Sequence, residues 1–316
     1  MIDIFLRAWE HPTEFLFCFT LALIPTIVWF LIFGPRHRGR WGNIAATFFA
    51  GMLAGALILS YQFFWGARFD LIFFVLEPSD FDSAIRVQID SVLLSSLLVF
   101  LSVGFLEEYA KHWVVKKVDH NVFESIDDVI EFSIIGALGF AFLENVGYFF
   151  LLMVRGDMDN LVTLFVVRSV FVVFIHILCS GIYGYFYGLG YFAKPVLSER
   201  VRKGKTPLLP FFLHRLVNFR PTSIFRDEMA TIGLLLAMSI HGAYDFLLEI
   251  GTLGQFASMF TENIVHFSGE DIQLHWILLP MILVFGFSYL SYLLNKKEHQ
   301  IQYGHLETHE IFVPKA

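Results

Sequence analysis

The chain has 316 residues, of which 56% are hydrophobic and only 16% charged, with a mean hydropathy of +0.64. Soluble domains run near about 25% charged and about 45–50% apolar, so the composition excludes a soluble globular protein and assigns the chain to the membrane. The net charge of −7 says less than the side on which the charges fall, and no nucleic acid is expected as a partner.

A hydrocarbon core of ~30 Å needs about 20 apolar helical residues. The opening stretch MIDIFLRAWEHPTE carries acids and no small-residue cleavage site, so the first apolar run reads as a retained span rather than a leader. Seven segments are expected to cross: 15–33, 44–64, 92–115, 132–154, 161–192, 229–250 and 274–294. The run LIFFVL (71–76) is too short, is followed by Pro78, Asp80 and Asp82, and reads as interfacial. The connection 193–228 is basic and broken by prolines, and its segment LLPFFLHRLVNF is expected on the membrane surface. Cys18 and Cys179 both fall in apolar runs, so neither a disulfide framework nor a CxxC metal site is expected.

Lysine and arginine set the orientation. With the N-terminus outside, seventeen of them lie in inner loops and at inner helix ends, against four outside (Arg7, Arg68, Arg86, Arg155). Such an excess predicts an outer N-terminus and an inner C-terminus. Gly51 and Gly55 in GMLAG, and Gly181, Gly184 and Gly188 in GIYGYFYG, have the spacing that lets helix backbones approach. The expected fold is all-α, a polytopic transmembrane bundle forming one domain over 1–316 with a catalytic core in 92–250.

Ionisable groups at a span's centre cost ~2.5–3.5 kcal/mol each on insertion scales, so they face the bundle interior and mark function. The third span carries Glu107, Glu108 and Lys111; the fourth Glu144 and Asn145; the fifth Arg168 and His176; the sixth His241 and Asp245. At about 1.5 Å rise per residue, Glu107, Glu144, His176 and His241 each lie within one turn of mid-span. Asp245 follows His241 by four residues, as Lys111 follows Glu107, so each pair shares a helix face. Glu108 points roughly 100° from Glu107 and reads equally as a partner for a loop cation. Arg168, nearer the outer side, reads as a structural counter-ion or anchor.

These residues resemble the PrsW family of intramembrane proteases, relatives of the CAAX-processing endopeptidases. That family is marked by EExxK, FxxxE and HxxxD on successive core helices, which here read EEYAK (107–111), FAFLE (140–144, followed by Asn145) and HGAYD (241–245). The helix bearing His176 and Ser180 falls between them, as in the family. The resemblance covers somewhat under half the chain. It implies a membrane-embedded peptidase of a bacterial cytoplasmic membrane, with substrates such as membrane-tethered anti-sigma factors.

Peptide hydrolysis needs an activated water, a stabilised oxyanion and a protonated leaving amine. Glu107 is assigned the proton transfers, with Lys111 and Glu108 tuning it. Two mechanisms then stay open. In one, Glu144, His176 and His241 bind Zn²⁺ or another divalent metal, and Asp245 orients His241. In the other, the two histidines and Asn145 hold the oxyanion without a metal. The sequence lacks HExxH, so no local zinc signature decides between them.

An aspartyl site lacks a second in-membrane Asp and a GxGD motif, and a Ser180–His241 pair lacks the expected GxS. The rival from another class is an ion- or proton-coupled transporter or channel using Glu107, Glu144 and Asp245, although no inverted repeat is evident. A catalytically silent scaffold for a client helix is the third reading.

Overall fold

A computed structural model describes residues 8–33, 40–68, 92–118, 121–205, 208–217, 219–252 and 274–295. Among them there are helices and short connections and no strand. In chain order the helices are α1 (Pro12–Phe33), α2 (Trp41–Arg68), α3 (Val92–Val118), α4 (Ile126–Arg155) and α5 (Met158–Val167). A π-turn (Arg168–Val172) runs from α5 into α6 (Val173–Tyr191), followed by α7 (Ala193–Arg202), α8 (Leu208–Val217), α9 (Pro221–Thr252) and α10 (Leu274–Asn295).

Among the described residues, five helical stretches are long and apolar enough to cross a membrane: Pro12–Phe33, Trp41–Tyr61, Ile126–Arg155, Met158–Tyr191 and Pro221–Leu248. Two of the seven expected spans do not meet that measure. The C-terminal half of α3 carries Glu107, Glu108, Lys111, Lys116 and Lys117, and of α10 Pro280–Asn295 counts as a shorter apolar helix. The expected interfacial run 71–76 and the basic residues Lys296, Lys297 and Lys315 lie outside the described residues.

The helices outrun their apolar stretches because polar residues cap them. α4 begins at Ile126, six residues before the expected 132, because Ser125 and Asp128 form a capping box that binds the free backbone N–H groups of its first turn. Arg40 bonds Asp128 at 3.1 Å and Glu124 at 2.8 Å, fastening this end to the start of α2. At the other end Gly156 takes φ 73°, and Asp157 caps α5 one residue later. Glycine suits that left-handed position because it has no Cβ to clash.

α4 is buried along most of its length and is the axis of the bundle. α1, α2 and α6 pack on it, and α9 packs on α3 and α6. α4 and α9 themselves hardly touch, and both pack on α3 and α6. The expected glycine contacts are present. A Cβ on Gly51 would collide with the carbonyl of Gly136, and one on Gly139 with the carbonyl of Phe48. At Gly184 it would meet Ile130 Cα at 2.9 Å.

These are backbone obstacles, which no rotamer change relieves. Gly139→Ala is therefore expected to cost about 1–3 kcal/mol by forcing α2 from α4. Thermal unfolding in detergent checks it, with Gly42→Ala, where nothing lies within 4 Å, as the silent control. The connection after α6 folds into α7 and the amphipathic α8, which leaves Phe212 and Leu216 exposed beside Arg215. That pattern agrees with a helix lying on the membrane surface.

Candidate active site

Glu107, Glu108, Lys111, Glu144, Asn145, Arg168, His176 and His241 are all buried, and Asp245 is partly so. They come from α3, α4, the π-turn, α6 and α9 and meet inside the bundle. Lys111 Nζ donates to Glu108 Oε1 at 2.7 Å and to His176 Nδ1 at 2.6 Å, and stands 3.9 Å from Glu107 Oε2. An ammonium only donates, so His176 Nδ1 accepts and its Nε2–H donates to Glu144 Oε2 at 3.0 Å. The lysine and Glu144 thereby fix the ring's tautomer. His241 Nδ1–H donates to Glu108 Oε1 at 2.8 Å, turning Nε2 towards Glu107 Oε2 (3.6 Å) and Asp245 Oδ2 (3.5 Å). The two imidazoles meet edge to face with centroids 4.9 Å apart.

Glu108, left with two readings by the sequence, is the shared acceptor of Lys111 and His241. The helical turn that points it away from Glu107 points it at α9. Arg168 reaches Glu144 Oε2 at 2.9 Å, donates through Nε to Asn145 Oδ1 at 2.7 Å, and lies 4.0 Å over the Tyr148 ring. Ser180 Oγ is buried with no hydrogen-bond partner among the described residues, so the Ser180–His241 pair is not formed.

The π-turn explains how Arg168 and His176 both reach Glu144. Eight residues at about 100° each would leave them roughly 80° apart on a regular helix. A π-turn takes up about one extra residue, so the separation acts like roughly seven and the two side chains share a face. Sequence reasoning placed the charge of Arg168 but gave no signal of this turn.

The expected metal ligands were Glu144, His176 and His241. Among the described residues, the group whose ligand atoms lie within 4.8 Å of one another is Glu107, His176 and His241. Glu144 stands beside it, paired with Arg168 and His176. Two imidazoles and a carboxylate suit zinc, and Glu108 and Glu144 each hold the second nitrogen of one ring, as carboxylates do behind metal-binding histidines. The charges point the same way. Four carboxylates (Glu107, Glu108, Glu144, Asp245) surround two permanent cations (Lys111, Arg168), a deficit that protons or a divalent cation balance. The residues fit a divalent metal, and Lys111 competes with it for His176 Nδ1.

Fold and site together define a helical membrane protein with a buried histidine–carboxylate centre. The chain belongs to the PrsW family: the family described as PrsW family intramembrane metalloprotease matches residues 39–229. That range holds EEYAK, FAFLE, Arg168 and His176, while His241 and Asp245 lie beyond it. A relative named Protease PrsW, from Geobacillus kaustophilus, is 38% identical over 117 residues, 36% of this chain and 48% of that protein. The match thus spans about half the relative's length. No solved structure matches the chain.

Proposed function

We propose that the protein is an intramembrane endopeptidase that cuts membrane-associated proteins, a membrane-tethered anti-sigma factor being one such substrate, in a bacterial cytoplasmic membrane. The observation that carries this reading is the convergence of Glu107, His176 and His241 at one buried point in a family of proteases. That membership also removes the main support for the transporter or channel reading. The seven-span topology, with α3 and α10 crossing as well and the N-terminus outside, belongs to the same proposal. So does a single domain with its catalytic core in 92–250.

Without a metal, Glu107 accepts the proton of the attacking water and returns it to the leaving amine. Glu108 orients His241, Glu144 orients His176, and Lys111 supplies positive charge where the oxyanion grows. Asn145 and Asp245 border the same centre and hold the arginine and the imidazole beside it. A Zn²⁺-like ion held by Glu107, His176 and His241 would itself lower the pKa of the water and polarise the scissile carbonyl, with Glu107 then a ligand rather than the base. A metal-free version of the same site is favoured by one observation, the Lys111 ammonium 2.6 Å from His176 Nδ1.

The test is to incubate detergent-purified protein with a proteome-derived peptide mixture and map new termini by mass spectrometry, with and without a chelator. New termini that vanish with Glu107→Gln support the peptidase, and none above that control would contradict it. Stoichiometric bound metal with chelator-sensitive cleavage is the expected result. Cleavage that survives chelation in metal-free protein would leave the metal-free version.

A further inference from the structure

A peptide bond buried in a membrane helix is already hydrogen-bonded within its own helix. To be cut, that segment must unwind, and its carbonyls then face a medium without water, where unpaired backbone groups are costly. An enzyme of this kind must supply donors, and donors kept for a substrate stand unpaired in the free protein. Buried polar groups are otherwise almost always paired.

Two such donors flank the centre. The Tyr244 hydroxyl, on α9 one turn after His241, is buried and has no hydrogen-bond partner among the described residues. On α4 the Asn145 amide gives its oxygen to Arg168, and its Nδ2 is likewise buried without a partner. The two donors thus stand on α9 and α4, the helices that bring His241 and Glu144 to the centre. Its margin is marked by the partly exposed Asp245 and the exposed Tyr148.

We propose that the Tyr244 hydroxyl and the Asn145 side-chain amide form a main-chain binding subsite that takes the carbonyl groups of an unwound substrate segment between α4 and α9. The subsite rests on the peptidase reading, and the recognition is of backbone rather than of any one side chain.

Tyr244→Phe tests it through three readouts. Cleavage of the peptide mixture is expected to fall at least about tenfold, while the thermal midpoint in the same detergent stays level or rises, because an unpaired buried hydroxyl has been removed. In the Glu107→Gln background, which binds without cutting, Tyr244→Phe is expected to lower retention of the mixture's peptides at least about fivefold. Retention that falls while the wild type cuts nothing would sink the peptidase reading and leave the subsite standing. Cleavage and retention within twofold of the parent, or no retention by the Glu107→Gln parent itself, would overturn the subsite. A lowered thermal midpoint would overturn it too, showing that the hydroxyl has a partner in the fold.

Discussion

Glu107→Gln is expected to reduce peptide cleavage by about 10²–10⁴-fold, the range that a positioned acid–base group contributes. Gln keeps the shape and hydrogen-bonding reach of Glu but cannot accept the proton of water. It also lifts one negative charge from a cluster with four carboxylates and two permanent cations. The thermal midpoint should therefore hold or rise while activity disappears. Loss of both together would mean that Glu107 is chiefly a structural counter-ion for Lys111, 3.9 Å away. The assay is cleavage of a mapped peptide, with unfolding followed in the same detergent.

The second large effect concerns Glu144 and Arg168. Each is buried, and each is the other's charge partner at 2.9 Å. Glu144→Gln leaves the guanidinium without its carboxylate, and Arg168→Met leaves the carboxylate with the His176 donor alone. Breaking one side of a buried pair costs about 3–5 kcal/mol, whereas replacing both sides together is often near neutral. Either single substitution is thus expected to destabilise strongly, and the double substitution to recover most of the loss. Denaturant titrations of the three variants measure the coupling. Strictly additive losses would show that the pair does not act as a unit. Activity should not recover in the double variant, because His176 then lacks the carboxylate that fixes its ring.

Much of this was legible in the sequence, and the rest depends on phase and partnership. Hydropathy located the helices because a bilayer sets their length. It missed that α4 starts at Ile126, since a capping box extends a helix past its apolar part. Depth along each helix brought Glu107, Glu144, His176 and His241 to one level, because rise per residue is nearly constant. Which of them cluster most closely was not legible, because rotation about the helix axis matters as much as depth. Glu144 was expected as a metal ligand and Glu107 as the base, and the pairing of Glu144 with Arg168, helped by the π-turn, gave no sequence signal. Glu108 pointed away from its neighbour by simple geometry, but the sequence did not show that His241 waits on that side. The Tyr244 hydroxyl gave no sequence signal, since a tyrosine in an apolar helix reads as packing.

The most direct measurement reconstitutes the wild type and Glu107→Gln in liposomes and follows peptide cleavage and proton flux in the same vesicles. The proposal predicts new peptide termini with the wild type, none above background with the variant, and no flux that depends on Glu107. Flux that requires Glu107, with no cleavage by either protein, would contradict it and assign the buried carboxylates to transport.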